Sequence, residues 1–169
     1  AEPLSAALYA ELLRVKRFRE QSAETALRAA EAERDARRET ARQARKAADD
    51  YHGFRLSEET RLFEEIRMAE VHVRDIDDMT RKRERMREQE DEMRAEAKAA
   101  ADEADKAAQT AEDALGAHVE AQRAVVKFEE FVAEAERAEA DEAARREEAA
   151  AEEITEAVFG GRRGIGAVE

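Results

Sequence analysis

Apolar side chains recur every seven residues through the second half of the chain. One row consists of Met79, Met86, Met93, Ala100, Ala107, Ala114, Ala121, Phe128 and Ala135. A second row, offset by four residues, consists of Ala97, Ala104, Ala111, His118, Val125 and Val132. Two such rows are the a and d positions of a coiled coil. The pattern therefore predicts a long helix whose seam packs against another helix.

The first half of the chain is less regular. Leu8, Leu12 and Val15 begin a predicted seam near the amino end. The seam continues, with shifts of phase, through Ala23, Ala26, Ala30, Ala41, Ala44, Ala48 and Tyr51. Because polar residues interrupt this seam, we expect an arm that is held by its partner arm rather than a self-sufficient dimer.

The chain has few places at which it could reverse. The only glycines before Gly160 are Gly53 and Gly116. A single helix over 5–158 would be roughly 230 Å long and would expose its apolar stripe throughout. A reversal at about 68–72 is favoured over Gly53, because Val71 and Val73 lower helix propensity and Asp75 suits the first turn of a new helix.

The predicted fold is all-α, a long antiparallel two-helix coiled-coil hairpin over 1–159. We expect helix one at about 5–67, a turn at about 68–72, helix two at about 73–158 and a flexible tail over 160–169. The second helix then overhangs the first near 134–158.

The composition supports helix over a globular core. Charged residues make up 43% of the chain, and most of the apolar residues are alanine. Disorder is the competing interpretation of so charged a sequence, but the abundance of strong helix formers, with one proline, favours helix. Cysteine is missing, which excludes disulfides. No apolar run is long enough for a membrane span, and the amino end does not resemble a signal peptide, so we expect a cytoplasmic protein.

Negative charge is concentrated in the last third of the chain. Residues 99–158 hold 18 acidic and 6 basic side chains. Such a stretch repels phosphate backbones and anionic lipid, which argues against nucleic-acid binding and against membrane-surface binding. Solvation of an exposed helix face is the simpler interpretation of the same charges.

Catalytic and metal chemistry are not expected. His52, His72 and His118 lie far apart and match no metal-ligand spacing. His118 falls on the seam, where a packed or register-setting polar residue is more usual than a ligand. The glycines from Gly160 onward follow no predicted strand, so a phosphate loop is not supported. No cofactor and no enzymatic activity are therefore predicted.

Three short motifs resemble a known family. They are LLRVKRFRE at 12–20, YHGFR at 51–55 followed by EETRLFEEI at 58–66, and KFEEF at 127–131. In their order and spacing the chain, over about 12–158, resembles the type III secretion stalk proteins of the YscO/SctO family, whose flagellar relative is FliJ. It departs from the family at the predicted turn, which lacks the glycine and proline that members often have.

The resemblance implies a role as well as a fold. Family members resemble the coiled-coil stalk of the rotary ATPase γ subunit. The end with both termini is expected to enter the secretion ATPase hexamer, and the hairpin end is expected to face the cytoplasmic domain of the export gate. Binding to chaperones of secreted translocators is implied for some members. The protein would then be cytoplasmic, at the membrane-associated secretion apparatus.

Two groups of residues are candidates for these contacts. The ATPase-contact set is Leu12, Leu13, Arg14, Lys16 and Arg17, with the neighbouring Arg19 adding to its positive charge. The set for the export gate or a chaperone is Tyr51, Phe54 and Phe63. Each group has a structural alternative: the basic residues form a solvated face, and the aromatic residues fill the local core.

A second class of function stays open, that of a self-associating structural coiled coil used as a spacer or scaffold. Sedimentation separates the two classes, because the stalk hypothesis expects an elongated monomer and the scaffold hypothesis expects a stable oligomer.

Overall fold

Two long helices make up the fold. The computed structural model describes residues 4–68, 70 and 72–165, without the side chains of 162–165. Helix α1 spans Ala6–Met68 and helix α2 spans Val73–Ile165, and the described residues contain no strand. The two helices pack antiparallel, which confirms the all-α coiled-coil hairpin.

Helix α1 begins at a side-chain cap. The hydroxyl of Ser5 accepts a hydrogen bond from the backbone N–H of Leu8 at 3.2 Å. The N–H of Ala6 donates to a carboxylate oxygen of Glu139 on α2 at 2.9 Å. Two of the four N–H groups without helical partners are thus satisfied, one by the cap and one by the partner helix.

Helix α2 also begins at a side-chain cap, next to the turn between the helices. The carboxylate of Asp75 accepts from the backbone N–H of His72 at 3.2 Å, while the carbonyl of His72 accepts from the N–H of Asp75 at 2.9 Å. Asp75 also places negative charge in the first turn of α2, where the helix dipole favours it. The predicted turn at about 68–72 also included Ala69 and Val71, which lie outside the described residues.

Helix α2 extends further than its sequence pattern suggests. Its predicted end was about 158, with a flexible tail from 160, whereas the structure continues the helix to Ile165. Adding a residue to an existing helix costs far less than starting one, so Gly160 and Gly161 can join a helix that is already formed. The last four residues of the predicted tail, 166–169, lie outside the described residues.

The chain divides into two compact units, each with contacts from both helices. The hairpin unit comprises 24–116 and the terminal unit comprises 1–23 with 117–169. In the hairpin unit the buried apolar residues are Ala48, Met86, Ala104, Ala107 and Ala111. In the terminal unit they are Ala6 and Leu13.

The two predicted rows of α2 are confirmed, because every member is buried or half-buried. The predicted seam at the start of α1 is wrong at Leu8 and Val15, whereas its third residue, Leu12, is half-buried. Leu8 and Val15 are 44% and 46% exposed, whereas Leu13 is 6% exposed. The buried face there follows Tyr9, whose ring packs on Phe131 with centroids 5.6 Å apart. Aromatic packing against α2 therefore sets the rotation of α1.

Candidate interaction surfaces

A nearly buried group of charges links the two helices of the hairpin unit. Nε of Arg55 on α1 donates to Glu90 on α2 at 2.5 Å, and its Nη1 donates to Glu59 at 3.0 Å. The side chains of Arg55, Glu59 and Glu90 are only 10–12% exposed. Nδ1 of His52 lies 2.5 Å from the other carboxylate oxygen of Glu90. Each of these two carboxylates therefore has a cationic or hydrogen-bonding partner.

Further ion pairs surround this group, and together they form what we call the charge network. Glu59 lies 3.7 Å from Arg83 and 3.5 Å from Arg87 of α2. Lys82 and Arg61 both contact Glu58, at 2.9 and 2.5 Å. The pairs of Glu58 with Lys82 and of Glu59 with Arg83 and Arg87 join the two helices, so a shift of one helix along the other would break them.

The acids of the charge network hold their negative charge strongly. Hydrogen bonds from Arg61 and Lys82 lower the pKa of Glu58 to about 2. Burial raises the pKa of Glu59. The hydrogen bond from Arg55, together with the positive charges of Arg55, Arg83 and Arg87, outweighs burial, so the pKa is lowered overall. Burial likewise raises the pKa of Glu90, and hydrogen bonds from Arg55 and His52 outweigh it.

The predicted aromatic residues do not form one cluster. Tyr51 is half-buried and its ring contacts that of Phe54, with centroids 5.7 Å apart. Phe63 instead lies beneath the guanidinium of Arg83, 4.9 Å from it. Phe54 and Phe63 are 53% and 49% exposed. Each ring therefore makes a contact within the hairpin and also exposes part of its surface. This is intermediate between the two predicted roles, a docking contact and a residue of the local core.

A cleft lies beside the turn. It has a volume of about 320 Å³ and is lined by Leu62, Glu65, Ile66, Glu70, Asp75, Asp78, Met79 and Lys82. Its lining combines three apolar residues with four acidic residues and one lysine. The neighbouring side chains of Met68 and Val73 are 87% and 76% exposed. This end of the hairpin unit therefore presents both apolar surface and acidic side chains.

The predicted basic set is split between core and surface in the terminal unit. Leu13 is buried and Leu12 half-buried. Lys16 lies over the ring of Phe128, 5.2 Å from its centroid. Arg14 is exposed and pairs with Glu11 at 3.1 Å, and Arg17 pairs with Glu129 of α2 at 3.5 Å. Of this set, Arg14 and Arg17 are the most accessible charges.

Two surfaces of the terminal unit stay uncovered. The outer stripe consists of Leu4, just before α1, and of Leu8, Val15 and Phe18 on α1, the last of which is 69% exposed. The overhang is the part of α2 beyond Glu139, residues 140–161, all of which are exposed. Ile154, Val158 and Phe159 give the overhang an apolar patch.

The charge network was not predicted from the sequence. Its signal is present, however, in the seam itself. Continued towards the turn in steps of seven, the second row of α2 reaches Glu90 and then Arg83. Charged residues at seam positions require charged partners, and Arg55 and Glu59 lie one turn apart on α1.

The predicted seam residue His118 is confirmed as a polar seam residue, because its Nε2 lies 2.9 Å from Glu20.

Two helices joined by a capped turn, with an alanine seam and a charge network, define a helical-hairpin coiled-coil protein. None of the described helices is long and apolar enough to cross a membrane. The chain belongs to the family of the type III secretion protein YscO, whose model matches residues 9–157. It is therefore a component of a type III secretion system, as the three motifs indicate.

A solved structure supports the same fold. The chain is similar to YscO from Vibrio parahaemolyticus, known from a 2.8 Å crystal structure, with a TM-score of 0.79 and 20% sequence identity. The similarity covers 88% of this chain and 93% of that one. No curated protein matches the chain.

Proposed function

We propose that this protein is a non-enzymatic stalk of the type III secretion system, in the cytoplasm, linking the secretion ATPase hexamer to the export gate. The observation that carries the proposal is the overhang: α2 continues alone for residues 140–161 beyond the contact between Ala6 and Glu139. A single helix is about 10 Å wide, so it fits a narrow axial opening that a helix pair would not enter.

The terminal unit also offers charge to an ATPase. Arg14 and Arg17 are exposed on α1, and their pairs with Glu11 and Glu129 are solvent-accessible. Exposed pairs of this kind contribute little stability, so a partner's acidic groups could replace them at little cost. Leu13 belongs to the core, and we assign it no contact with the ATPase.

The ATPase contact is tested by binding and turnover. The double variant Arg14→Glu/Arg17→Glu is expected to bind the cognate ATPase hexamer more weakly and to lose stimulation of ATP hydrolysis. The control is Arg42→Glu in the hairpin unit, an equally exposed arginine with a helical carboxylate partner. Stimulation unchanged in the double variant would exclude the basic residues, and no binding by folded wild-type chain would exclude the stalk.

At the other unit, the export gate or a translocator chaperone is proposed to contact Phe54 and Phe63. Both rings expose about half their surface, which suits an aromatic anchor at a protein interface. Phe54→Ala is expected to weaken capture by the cytoplasmic domain of the export gate, whereas Leu56→Ala, equally exposed and two residues away, serves as the control. Equal losses in both variants would argue against a specific aromatic contact.

A further inference from the structure

We propose that Arg83 and Arg87 of α2 bind a carboxylate of the partner protein at the hairpin unit, beside the exposed ring of Phe63. Phe63 lies beneath the guanidinium of Arg83 and is 49% exposed. The partner surface would therefore present an acidic side chain next to an apolar one. This inference rests on the proposed function, because it concerns the partner that contacts this ring.

Three arginines converge on a single carboxylate oxygen of the charge network. Oε1 of Glu59 lies 3.0 Å from Nη1 of Arg55, 3.7 Å from Nε of Arg83 and 3.5 Å from Nε of Arg87. Arg55 donates a hydrogen bond to this oxygen and a second one to Glu90. Arg83 and Arg87 thus share one carboxylate to which another arginine is already hydrogen-bonded.

The N–H groups of these two arginines are incompletely used. Nε of Arg83 is buried and has no hydrogen-bond partner within the described part of the chain. A buried donor without a partner keeps the full cost of its desolvation. The side chain of Arg87 is 57% exposed and forms its ion pair with Glu59 without a hydrogen bond. Two neighbouring guanidinium groups therefore have N–H groups to offer to an incoming anion.

Carboxylates of the same helix do not supply the missing partner. Glu84 and Asp91 lie three residues before Arg87 and four residues after it, which are the spacings at which helical ion pairs form. Arg87 pairs with neither of them within the residues that the structure describes, and its guanidinium lies near Glu59 on α1 instead.

The chemistry of the patch indicates what it binds. A carboxylate can accept two parallel hydrogen bonds from one guanidinium, and such charge-assisted bonds are stronger than neutral ones. Arginine and aromatic side chains are also the types that dominate binding at protein interfaces, where a ring takes up apolar surface. A protein surface that carries an acidic side chain beside an apolar one satisfies both Arg87 and Phe63.

Binding of the whole chain to the purified cytoplasmic domain of the export gate, and to a translocator chaperone, tests the inference. Arg87→Gln removes one guanidinium and is expected to weaken binding about ten-fold, because a hydrogen bond between charged groups is lost. Arg85→Gln is the matched control and should bind as the wild type does. Arg85 is exposed, lies two residues away and makes no ion pair within the described part of the chain. Circular dichroism checks that each variant keeps its helices.

Two further measurements examine the kind of contact. Arg83→Lys keeps the positive charge but loses the planar group with its Nε–H, so it should weaken binding although the charge is unchanged. Higher salt should weaken binding of the wild type more than binding of Arg87→Gln, because the wild type makes one more ion pair with the partner.

The outcomes separate this inference from the proposed function. If Phe54→Ala weakens binding but Arg87→Gln binds as the wild type does, the arginine contact is overturned and the aromatic contact stands. Equal losses in Arg87→Gln and Arg85→Gln would also overturn it, because any positive charge on α2 would then act alike. If the folded wild-type chain binds neither the gate domain nor the chaperone, the proposed contact of the hairpin unit fails and this inference fails with it.

Discussion

Arg55 of α1 and Glu90 of α2 form a nearly buried ion pair across the seam, with Nε and a carboxylate oxygen 2.5 Å apart. On α2, Glu90 lies between the seam residues Met86 and Met93, and on α1, Arg55 lies one turn from Tyr51 and one turn from Glu59. The hydrogen bond to Glu90, followed by that to Glu59, raises the pKa of Arg55 despite its burial. The pair is part of the charge network, in which the carboxylates of Glu58, Glu59 and Glu90 each have a cationic partner.

Removing the charge of Glu90 should destabilise the hairpin. Glu90→Gln keeps the shape of the side chain but leaves Arg55 and its neighbours nearly buried with less compensating charge, and this costs more than the lost bond itself. The thermal midpoint of unfolding, measured by circular dichroism at neutral pH, is expected to fall by several degrees.

Glu142→Gln provides the control, because Glu142 pairs with Arg146 on the fully exposed overhang. Its midpoint should match that of the wild type. If Glu90→Gln also left the midpoint of unfolding unchanged, the charge network would not stabilise the hairpin.

Stability should decrease as the solution becomes acidic. The pKa values of Glu58, Glu59 and Glu90 are lower in the folded protein than in the unfolded chain, so the unfolded chain binds protons first. Their contribution is fully present above the ordinary pKa of about 4.5 and is lost as the pH falls through the folded values, towards about 2 for Glu58.

Urea unfolding between about pH 6 and 2.5 measures this dependence. The triple variant Glu58→Gln/Glu59→Gln/Glu90→Gln should be less stable at pH 6 and should lose less stability on acidification than the wild type. Parallel curves for the two proteins would mean that other carboxylates cause the acid sensitivity.

Leu13 and Val15 should differ in their effect although both are apolar. Leu13 is 6% exposed against α2, and Leu13→Ala is expected to lower the free energy of unfolding by about 2–3 kcal/mol. Val15 is 46% exposed, and Val15→Ala should change it by less than about 0.5 kcal/mol. Urea unfolding of the two variants at a concentration where the chain is monomeric distinguishes them. The reverse order would place Val15, not Leu13, in the core.

Gly53→Ala should stabilise the protein. Gly53 lies within α1, and a methyl group built there meets nothing within 4 Å. Alanine is therefore expected to raise the free energy of unfolding by up to about 1 kcal/mol through helix propensity alone. Gly116→Ala, in α2 with the same open space, should act alike. A loss of stability at Gly53, measured by thermal unfolding, would mean that the added methyl group meets an obstacle within the folded chain itself.

Much of the fold could be predicted because the packing positions of a long coiled coil follow from a regular repeat of apolar residues in the sequence. The rows through Met86 and Ala104 follow from their period of seven, and the position of the turn follows from the residues around His72. The start of α1 could not be predicted in the same way, since both Leu12-Leu13 and Leu8-Val15 offer apolar faces. Which face is buried depends on the rings of Phe128 and Phe131, more than 100 residues away in the chain.

By itself, the sequence determined two helices, their antiparallel seam and their place in a family, because helix propensity and periodicity are local properties. Only the tertiary structure decided which charges are compensated. Arg55 and Glu90 are 35 residues apart and meet because the hairpin brings their faces together. Tertiary structure also decided that Leu13 is core while Phe18 faces outward, because burial depends on how one helix is rotated against the other.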